Sequence, residues 1–162
     1  MRNIAQRMRY AGVVCAACCF LLFISCDESR VYEKNLSIDK NGWSYDDDFS
    51  FTVNILDTAS AYNMFVNVRH TDAYPYNNLW VKLITVFPDS TKEESKLNVF
   101  LSKPEGNWTG QCVDGMCFNT ALIQKNFTFP QAGTYTFILE QDMRMDPLPY
   151  VTDIGLKVEK FK

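Results

Sequence analysis

The sequence predicts an all-β protein, an antiparallel β-sandwich of roughly eight strands. Short runs rich in Val, Ile, Phe, Tyr and Thr recur along the chain, and no long segment has the 3.6-residue period of a helix. Apolar side chains fall on every second residue in Phe49–Leu56, in Tyr62–His70 and again near the C-terminus. One apolar and one polar face per strand is typical of an antiparallel sheet, and two such sheets cover each other. Jelly-roll and immunoglobulin-like strand orders both fit.

Each predicted strand is bounded by turn residues, such as Asp57 to Ser60 or Pro130 to Gly133. No linker or internal repeat interrupts the series, so we expect one sandwich domain over residues 31–162, preceded by a short tether over residues 26–30. The predicted strands are Val31–Leu36, Phe49–Leu56, Tyr62–His70, Leu79–Phe87, Lys96–Leu101, Asn119–Phe129, Gly133–Gln141 and Val151–Phe161.

A tight hairpin is predicted at Cys112-Val-Asp-Gly-Met-Cys117. Asp114-Gly115 is a signal for a type I′ turn, whose two central residues need positive φ. Around such a turn Cys112 faces Cys117, at a separation that a disulfide tolerates. We expect a structural bridge, since the pair lacks the C-x-x-C spacing of redox-active cysteines.

The first 25 residues resemble a bacterial lipoprotein signal peptide. Three arginines precede the apolar run Tyr10–Ile24, which is shorter than the roughly 20 residues that span a bilayer. Ser25-Cys26 ends the run, and we expect Cys26 to be the lipidated N-terminus of the mature chain. Phe23 stands where Leu is usual, and Cys18 also follows small residues, so a different cleavage position and an ordinary signal peptide stay open.

Composition excludes some functions. Removing residues 1–25 takes three of the 16 Lys and Arg and none of the 19 Asp and Glu, which leaves a net charge of −6 and no basic patch for nucleic acid. No catalytic motif appears, and the single histidine, His70, is expected on an exposed strand position. One histidine and a bridged cysteine pair cannot form a zinc site, and Asp46-Asp47-Asp48 lacks the spacing of a calcium loop. We expect no catalytic residues, metal or cofactor.

Aromatic residues cluster in predicted loops. Tyr74-Pro-Tyr76-Asn-Asn-Leu-Trp80 places three rings around one loop, and Trp43 and Trp108 also lie near turns. Such rings either close the ends of the sandwich or bind a sugar or protein. The candidate partner surface is Tyr74, Tyr76, Trp80 and Arg144.

Together these segments resemble the GldH family of gliding-motility lipoproteins of Bacteroidota. Gly110–Cys117 replaces a Gly-rich stretch that is usual in the family, so the disulfide hairpin is not assigned the family's activity. The segments that carry the resemblance are Cys26, Phe49-Ser-Phe51, Tyr74–Trp80, Gly133–Phe137, Gln141–Arg144 and Val151–Lys160.

The resemblance implies a non-enzymatic lipoprotein, held in the membrane by N-terminal acyl chains and acting in an envelope protein complex of the gliding and type IX secretion apparatus. An outer-membrane location is favoured over the inner membrane, and the choice between periplasmic and surface faces stays open. The alternative, which depends on the same aromatic residues, is a surface glycan-binding lipoprotein of a carbohydrate-uptake system.

Overall fold

A computed structural model describes residues 29–162, in which every regular element is a β-strand. The predicted signal peptide and Cys26 lie outside the described residues. Within residues 29–162 no helix is long and apolar enough to cross a bilayer. The strands are β1 (Arg30–Ser37), β2 (Phe49–Ile55), β3 (Tyr62–Thr71), β4 (Asn78–Val86), β5 (Lys92–Phe100), β6 (Gln111–Val113), β7 (Met116–Phe127), β8 (Gly133–Gln141) and β9 (Val151–Lys160).

The strands form two antiparallel sheets, which confirms the predicted β-sandwich. One sheet has the order β1-β9-β3-β7-β6, and the other has the order β2-β8-β4-β5. The first four strands alternate between the sheets, β4 and β5 form a hairpin within one sheet, and β7, β8 and β9 alternate again. An immunoglobulin-like sandwich instead keeps its first two strands in the same sheet. The strand order is therefore that of a jelly roll.

The predicted strand boundaries differ from the observed ones where a strand is polar and lacks apolar alternation. β5 begins four residues before the predicted Lys96, because its first residues are charged and exposed along a sheet edge. β7 begins at Met116 instead of Asn119, since the tight hairpin continues its ladder toward β6. β6 itself is a three-residue exposed strand that carries no apolar alternation. Edge strands need no such alternation, because solvent covers much of both their faces.

The core lies between the sheets and follows the alternation of the sequence. On β3 the inward residues are Tyr62, Met64, Val66 and Val68, and each is at most 2% exposed. Burying one such aliphatic side chain is worth about 1.5–3 kcal/mol. The other buried core residues lie on the four-stranded sheet and on β9: Phe51, Val53, Ile55, Leu79, Val81, Tyr135, Phe137, Leu139, Ile154, Leu156 and Val158.

A row of polar side chains crosses the outer face of the five-stranded sheet. The Asn67 amide donates to Asn35 Oδ1 at 3.0 Å, and Thr120 Oγ1 donates to Asn67 Oδ1 at 2.9 Å. Asn35 and Asn67 are both paired with Gly155, so their side chains meet above that residue. A Cβ on Gly155 would lie 1.9 Å from Asn35 Oδ1 and 2.7 Å from the Lys34 carbonyl oxygen. Glycine at position 155 therefore makes room for the row.

Antiparallel pairing divides the connections between two ends of the sandwich. At the N-terminal end, where β1 begins and β9 ends, lie the loops of residues 56–61, 87–91 and 128–132. At the opposite end, here called the distal end, lie the loops of residues 38–48, 72–77, 101–110 and 142–150 and the turn of the β6–β7 hairpin. The ten residues of β3 run from one end to the other, a rise of about 33 Å.

Replacing Gly155 by alanine should destabilise the protein by about 2 kcal/mol or more, because the Cβ displaces Asn35 and leaves the nearly buried Asn67 amide short of a partner. Urea unfolding measures the loss. Gly106→Ala is the control: its Cβ meets nothing within 4 Å, so it reports only the cost of a positive φ. A Gly155→Ala variant within 0.5 kcal/mol of the wild type would contradict the role assigned to this glycine.

Candidate functional site

A surface cavity lies at the distal end, where the loop of residues 142–150 meets the outer face of the four-stranded sheet. Its volume is about 480 Å³, within the range of ligand-binding clefts. We call it the Trp80 groove. Its lining residues are Tyr76, Trp80, Lys96, Asp142, Met143 and Arg144.

Strand alternation directs Trp80 into this groove. Its neighbours Leu79 and Val81 are fully buried between the sheets, so the indole projects from the opposite face of β4 and is 39% exposed. The backbone of Trp80 is fixed by the segment after β8, because its carbonyl oxygen accepts a hydrogen bond from Asp142 N at 2.9 Å. Its N–H points to Met143 Sδ at 3.2 Å. The ring is therefore presented from a rigid strand instead of a free loop.

Residues 142–150 are held in place by buried groups. The Gln141 amide donates to the Met145 carbonyl oxygen at 3.0 Å and accepts from Met143 N at 2.9 Å. Trp43 and Leu148, both fully buried, exchange two backbone hydrogen bonds of 2.9 and 2.8 Å. These contacts attach the loop of residues 38–48 to the loop of residues 142–150 and close this end of the core.

More apolar surface borders the groove. Tyr45 is half-exposed, its hydroxyl donates to the Met143 carbonyl oxygen, and its N–H donates to Asp146 Oδ1 at 2.9 Å. Met145 is 40% exposed, and its sulfur lies 4.0 Å from the Tyr76 hydroxyl. Exposed Met and aromatic side chains beside a cavity are a common composition of protein interfaces.

The groove presents an unpaired positive charge. Lys96 Nζ lies 2.7 Å from Asp142 Oδ2, an exposed pair that adds little stability. Further along the same face, Lys82 pairs with Glu140, which raises the pKa of that lysine. Arg144 is exposed, and no carboxylate of residues 29–162 forms an ion pair with it. Its guanidinium is free to bind an anionic group.

The structure brings together three of the four residues predicted as a partner surface. Tyr76, Trp80 and Arg144 line one groove. The prediction for Tyr74 is wrong: the side chain is 3% exposed, and its hydroxyl donates to the Asn78 carbonyl oxygen at 3.0 Å. Burial also raises the pKa of this phenol well above its usual range.

Sequence reasoning missed the other groove residues, Lys96, Asp142 and Met143, and the bordering residues Tyr45 and Met145. The resemblance to the family includes Gln141–Arg144, which was a sequence signal for Asp142 and Met143 but did not place them beside Trp80. Nothing in the sequence places Tyr45, about a hundred residues away, beside them.

His70 is not exposed, contrary to the prediction. It continues the series of inward-facing residues on β3, after Val66 and Val68. The side chain is fully buried beside the Trp108 ring, and the two ring centroids lie 4.6 Å apart. Its Nδ1 lies 2.8 Å from the Thr71 carbonyl oxygen, and its Nε2 lies 3.0 Å from the Asn119 amide nitrogen. These partners require a neutral ring that donates from Nδ1 and accepts at Nε2. Burial lowers the pKa of His70, so it is a satisfied core residue.

The remaining predicted features lie at turns of the distal end. A disulfide joins Cys112 to Cys117, and the φ values of Asp114 and Gly115, 50° and 77°, fit the predicted type I′ turn. The hairpin is attached to the body by a hydrogen bond from Asp72 N to the Gly115 carbonyl oxygen. In the acidic run, the Asp47 carboxylate accepts from Ser44 N at 3.0 Å, as a turn residue does. Residues 29–162 contain no cluster of three or more His, Cys, Asp or Glu that could hold a metal ion.

A two-sheet jelly roll with an aromatic groove at one end, together with the signal peptide predicted for residues 1–25, fits the class of envelope β-sandwich lipoproteins. Residues 30–158 match the family described as GldH lipoprotein, and the chain belongs to that family. It is therefore a gliding-motility lipoprotein, a lipid-anchored protein of the cell envelope.

Curated relatives agree with this assignment. The chain is 29% identical to the gliding motility lipoprotein GldH homolog of Christiangramia forsetii, over 86% of this chain and 90% of the relative. It is 26% identical to the gliding motility lipoprotein GldH of Flavobacterium johnsoniae, over 96% of this chain and 99% of the relative.

Similarity to solved structures is weaker. A family 35 carbohydrate-binding module from Clostridium thermocellum shares 12% identity with this chain, over 81% of this chain and 93% of the module, at a TM-score of 0.40.

The buried His70 should make stability depend on pH. Its folded pKa lies below the usual 6.5, so its contribution to stability is complete above pH 6.5 and is lost as the pH falls through the folded pKa. His70→Gln removes the titration while keeping a polar side chain. Denaturant unfolding between pH 7.5 and pH 4.5 should show a steeper loss of stability for the wild type than for His70→Gln. Equal slopes for the two proteins would contradict the neutral buried imidazole.

Proposed function

We propose that this lipoprotein acts without catalysis as an assembly component of the gliding and type IX secretion apparatus, and that it binds a protein partner through the Trp80 groove. The observation that carries the proposal is the convergence of Tyr76, Trp80 and Arg144 on one cleft at the distal end. Trp, Tyr and Arg are the residues most enriched among the strong contacts of protein interfaces. Membership in the GldH lipoprotein family supports the choice of this apparatus.

The chemistry of the groove favours a partner segment with an apolar side chain beside an acidic one. The indole of Trp80 and the sulfur of Met143 offer apolar contact, and Arg144 supplies an unpaired guanidinium. Because the backbone of Trp80 is fixed by β4 and by Asp142 N, and its side chain has only two χ angles, little conformational entropy is lost when it is covered. We therefore expect Trp80 and Arg144 to provide most of the binding energy.

A binding role is also consistent with the titratable groups around the groove. Lys96 and Asp142 are exposed and paired with each other, whereas catalytic acids and bases usually lie in buried clefts. His70, the single histidine of the sequence, is enclosed between the sheets with both ring nitrogens hydrogen-bonded. These observations support the part of the proposal that assigns the protein a role without acid–base catalysis.

Glycan binding is the competing proposal, and the ring geometry gives it less support. A coplanar set of exposed rings would favour stacking on a sugar, but Trp43 and Tyr74 are buried. The rings of Tyr74 and Tyr76 meet edge to face at 73°, so they offer no common plane. Trp80 is the one strongly exposed ring of the groove. Glycan-array binding that disappears in Trp80→Ala would establish the glycan proposal in place of the protein partner.

Site-specific photo-crosslinking tests the protein partner. Trp80→p-benzoylphenylalanine in living cells should give discrete protein adducts, which mass spectrometry should identify as motility or secretion components. Leu122→p-benzoylphenylalanine is the matched control, because Leu122 is similarly exposed but lies on the outer face of the other sheet.

Adding Arg144→Ala to the position-80 crosslinking variant should greatly reduce the adducts, since truncating a central interface arginine costs about 2 kcal/mol, roughly 30-fold in Kd. Equal adducts from position 122, or adducts that contain only nutrient-uptake proteins, would overturn the proposal.

The acyl anchor is tested at Cys26, where we propose that lipidation occurs. Acyl chains contribute about 0.8 kcal/mol per buried CH₂, so two or three of them hold a protein in the membrane without further contacts. Cys26→Ser should transfer the protein from the detergent phase to the aqueous phase in a Triton X-114 partition. Cys18→Ser serves as the control and should partition like the wild type. A Cys26→Ser variant that stays in the detergent phase would exclude this residue as the anchor.

A further inference from the structure

The predicted anchor lies only a few residues from the first strand. Cys26 precedes Arg30 by four residues, and four extended peptide units span at most about 14 Å. The Ser29 carbonyl oxygen accepts a hydrogen bond from Lys160 N at 2.7 Å, so the chain is already fixed to the end of β9 at this point. An acylated Cys26 therefore keeps the N-terminal end of the sandwich close to the bilayer.

Three exposed apolar side chains share that end: Val31 on β1, Leu56 after β2 and Phe161 after β9. Leu56 is 82% exposed, the highest value among the large apolar residues of the described chain. Folding gains almost nothing from a leucine in that position. A single exposed apolar side chain needs no explanation, but three on the surface nearest the predicted anchor do.

Polar contacts around Lys160 hold together the segments that carry these three side chains, at the N-terminal rim of both sheets. Lys160 Nζ lies 2.7 Å from Asp57 Oδ2, next to Leu56, and this pairing lowers the pKa of Asp57. Phe161 N donates to the Ala61 carbonyl oxygen at 2.8 Å. The start of β1, the loop after β2 and the end of β9 are thereby held together, so their apolar side chains keep a fixed relative position.

We propose that this surface, Val31, Leu56 and Phe161, rests in the headgroup region of the bilayer and holds the sandwich upright on the membrane. The inference depends on the acyl anchor of the proposed function, and it adds a contact that the acyl chains alone do not require. Apolar side chains of this kind enter the boundary between headgroups and acyl chains by about 5–10 Å. The Trp80 groove then opens sideways from the outer face of the four-stranded sheet, about 20 Å or more above the lipid, since six residues of β4 separate Trp80 from Val86 at the N-terminal end.

Two of the cations at this surface are already paired with carboxylates. Arg30 pairs with Glu33 at 3.0 Å, and Lys160 pairs with Asp57, so these cations bring their own counter-charges. Long basic side chains near an interface can still extend toward anionic headgroups while their stems stay in apolar contact. We therefore expect insertion that depends weakly on the anionic lipid content.

Nitroxide depth measurements test the proposal on the full acylated chain in phosphatidylethanolamine–phosphatidylglycerol vesicles. Leu56→Cys and Phe161→Cys carry the reporters, since both positions are exposed and tolerate substitution. Met145→Cys at the distal end and Leu122→Cys on the side of the sandwich are the matched controls. The reporters at positions 56 and 161 should collide with oxygen severalfold more, and with a water-soluble nickel chelate severalfold less, than those at positions 145 and 122.

Two results would overturn the proposal while the protein still floats with the vesicles. Equal nickel accessibility at positions 56 and 145 would mean that the N-terminal end does not touch the bilayer. Protection at position 122 would mean that the sandwich lies on its side. If the wild-type protein does not float with the vesicles, the acyl anchor of the proposed function fails, and this inference fails with it.

Discussion

The inner strands of this sandwich, such as β3, β4 and β8, bury one face against the opposite sheet, and the rest of the structure depends on that constraint. Because side chains alternate along a strand, the inward residues Val66 and Val68 on β3 fix the direction of each neighbour. The same register sends His70 into the core and Trp80 out of it. A shift of one residue on β4 would exchange Trp80 with the buried Leu79 and remove the groove.

The Trp80 groove also depends on the contacts that close the distal end of the sandwich. Trp43 and Leu148 are fully buried and joined by two backbone hydrogen bonds, so they seal the core where two long loops cross between the sheets. Gln141 then fixes the start of the loop of residues 142–150 by bonding to Met143 and Met145. These contacts hold the walls of the Trp80 groove in place. Most of its lining comes from the loop of residues 142–150 and from β4 and β5.

The sequence alone predicts much of the fold, since periodicity reports burial directly. β8 matches its predicted bounds, Gly133–Gln141, because apolar alternation and turn residues define both of its ends. β5 and β6 are less predictable because their exposed residues carry no such pattern.

The candidate site is only partly predictable. Tyr76, Trp80 and Arg144 stand out by residue type, but Tyr74, in the same loop, points inward to the Asn78 carbonyl oxygen. The burial of a loop residue depends on tertiary contacts, and local sequence does not encode them.

We propose that the two ends of the protein have different roles, with the N-terminal end facing the lipid and the distal end facing the partner. Neutron reflectometry of the acylated protein on a supported bilayer measures the height of the protein layer directly. An upright sandwich predicts a layer of about 40 Å or more, since β3 alone rises about 33 Å and loops extend beyond it. A layer of about 25 Å, the width of two packed sheets with their side chains, would show a sandwich lying flat and would contradict the account.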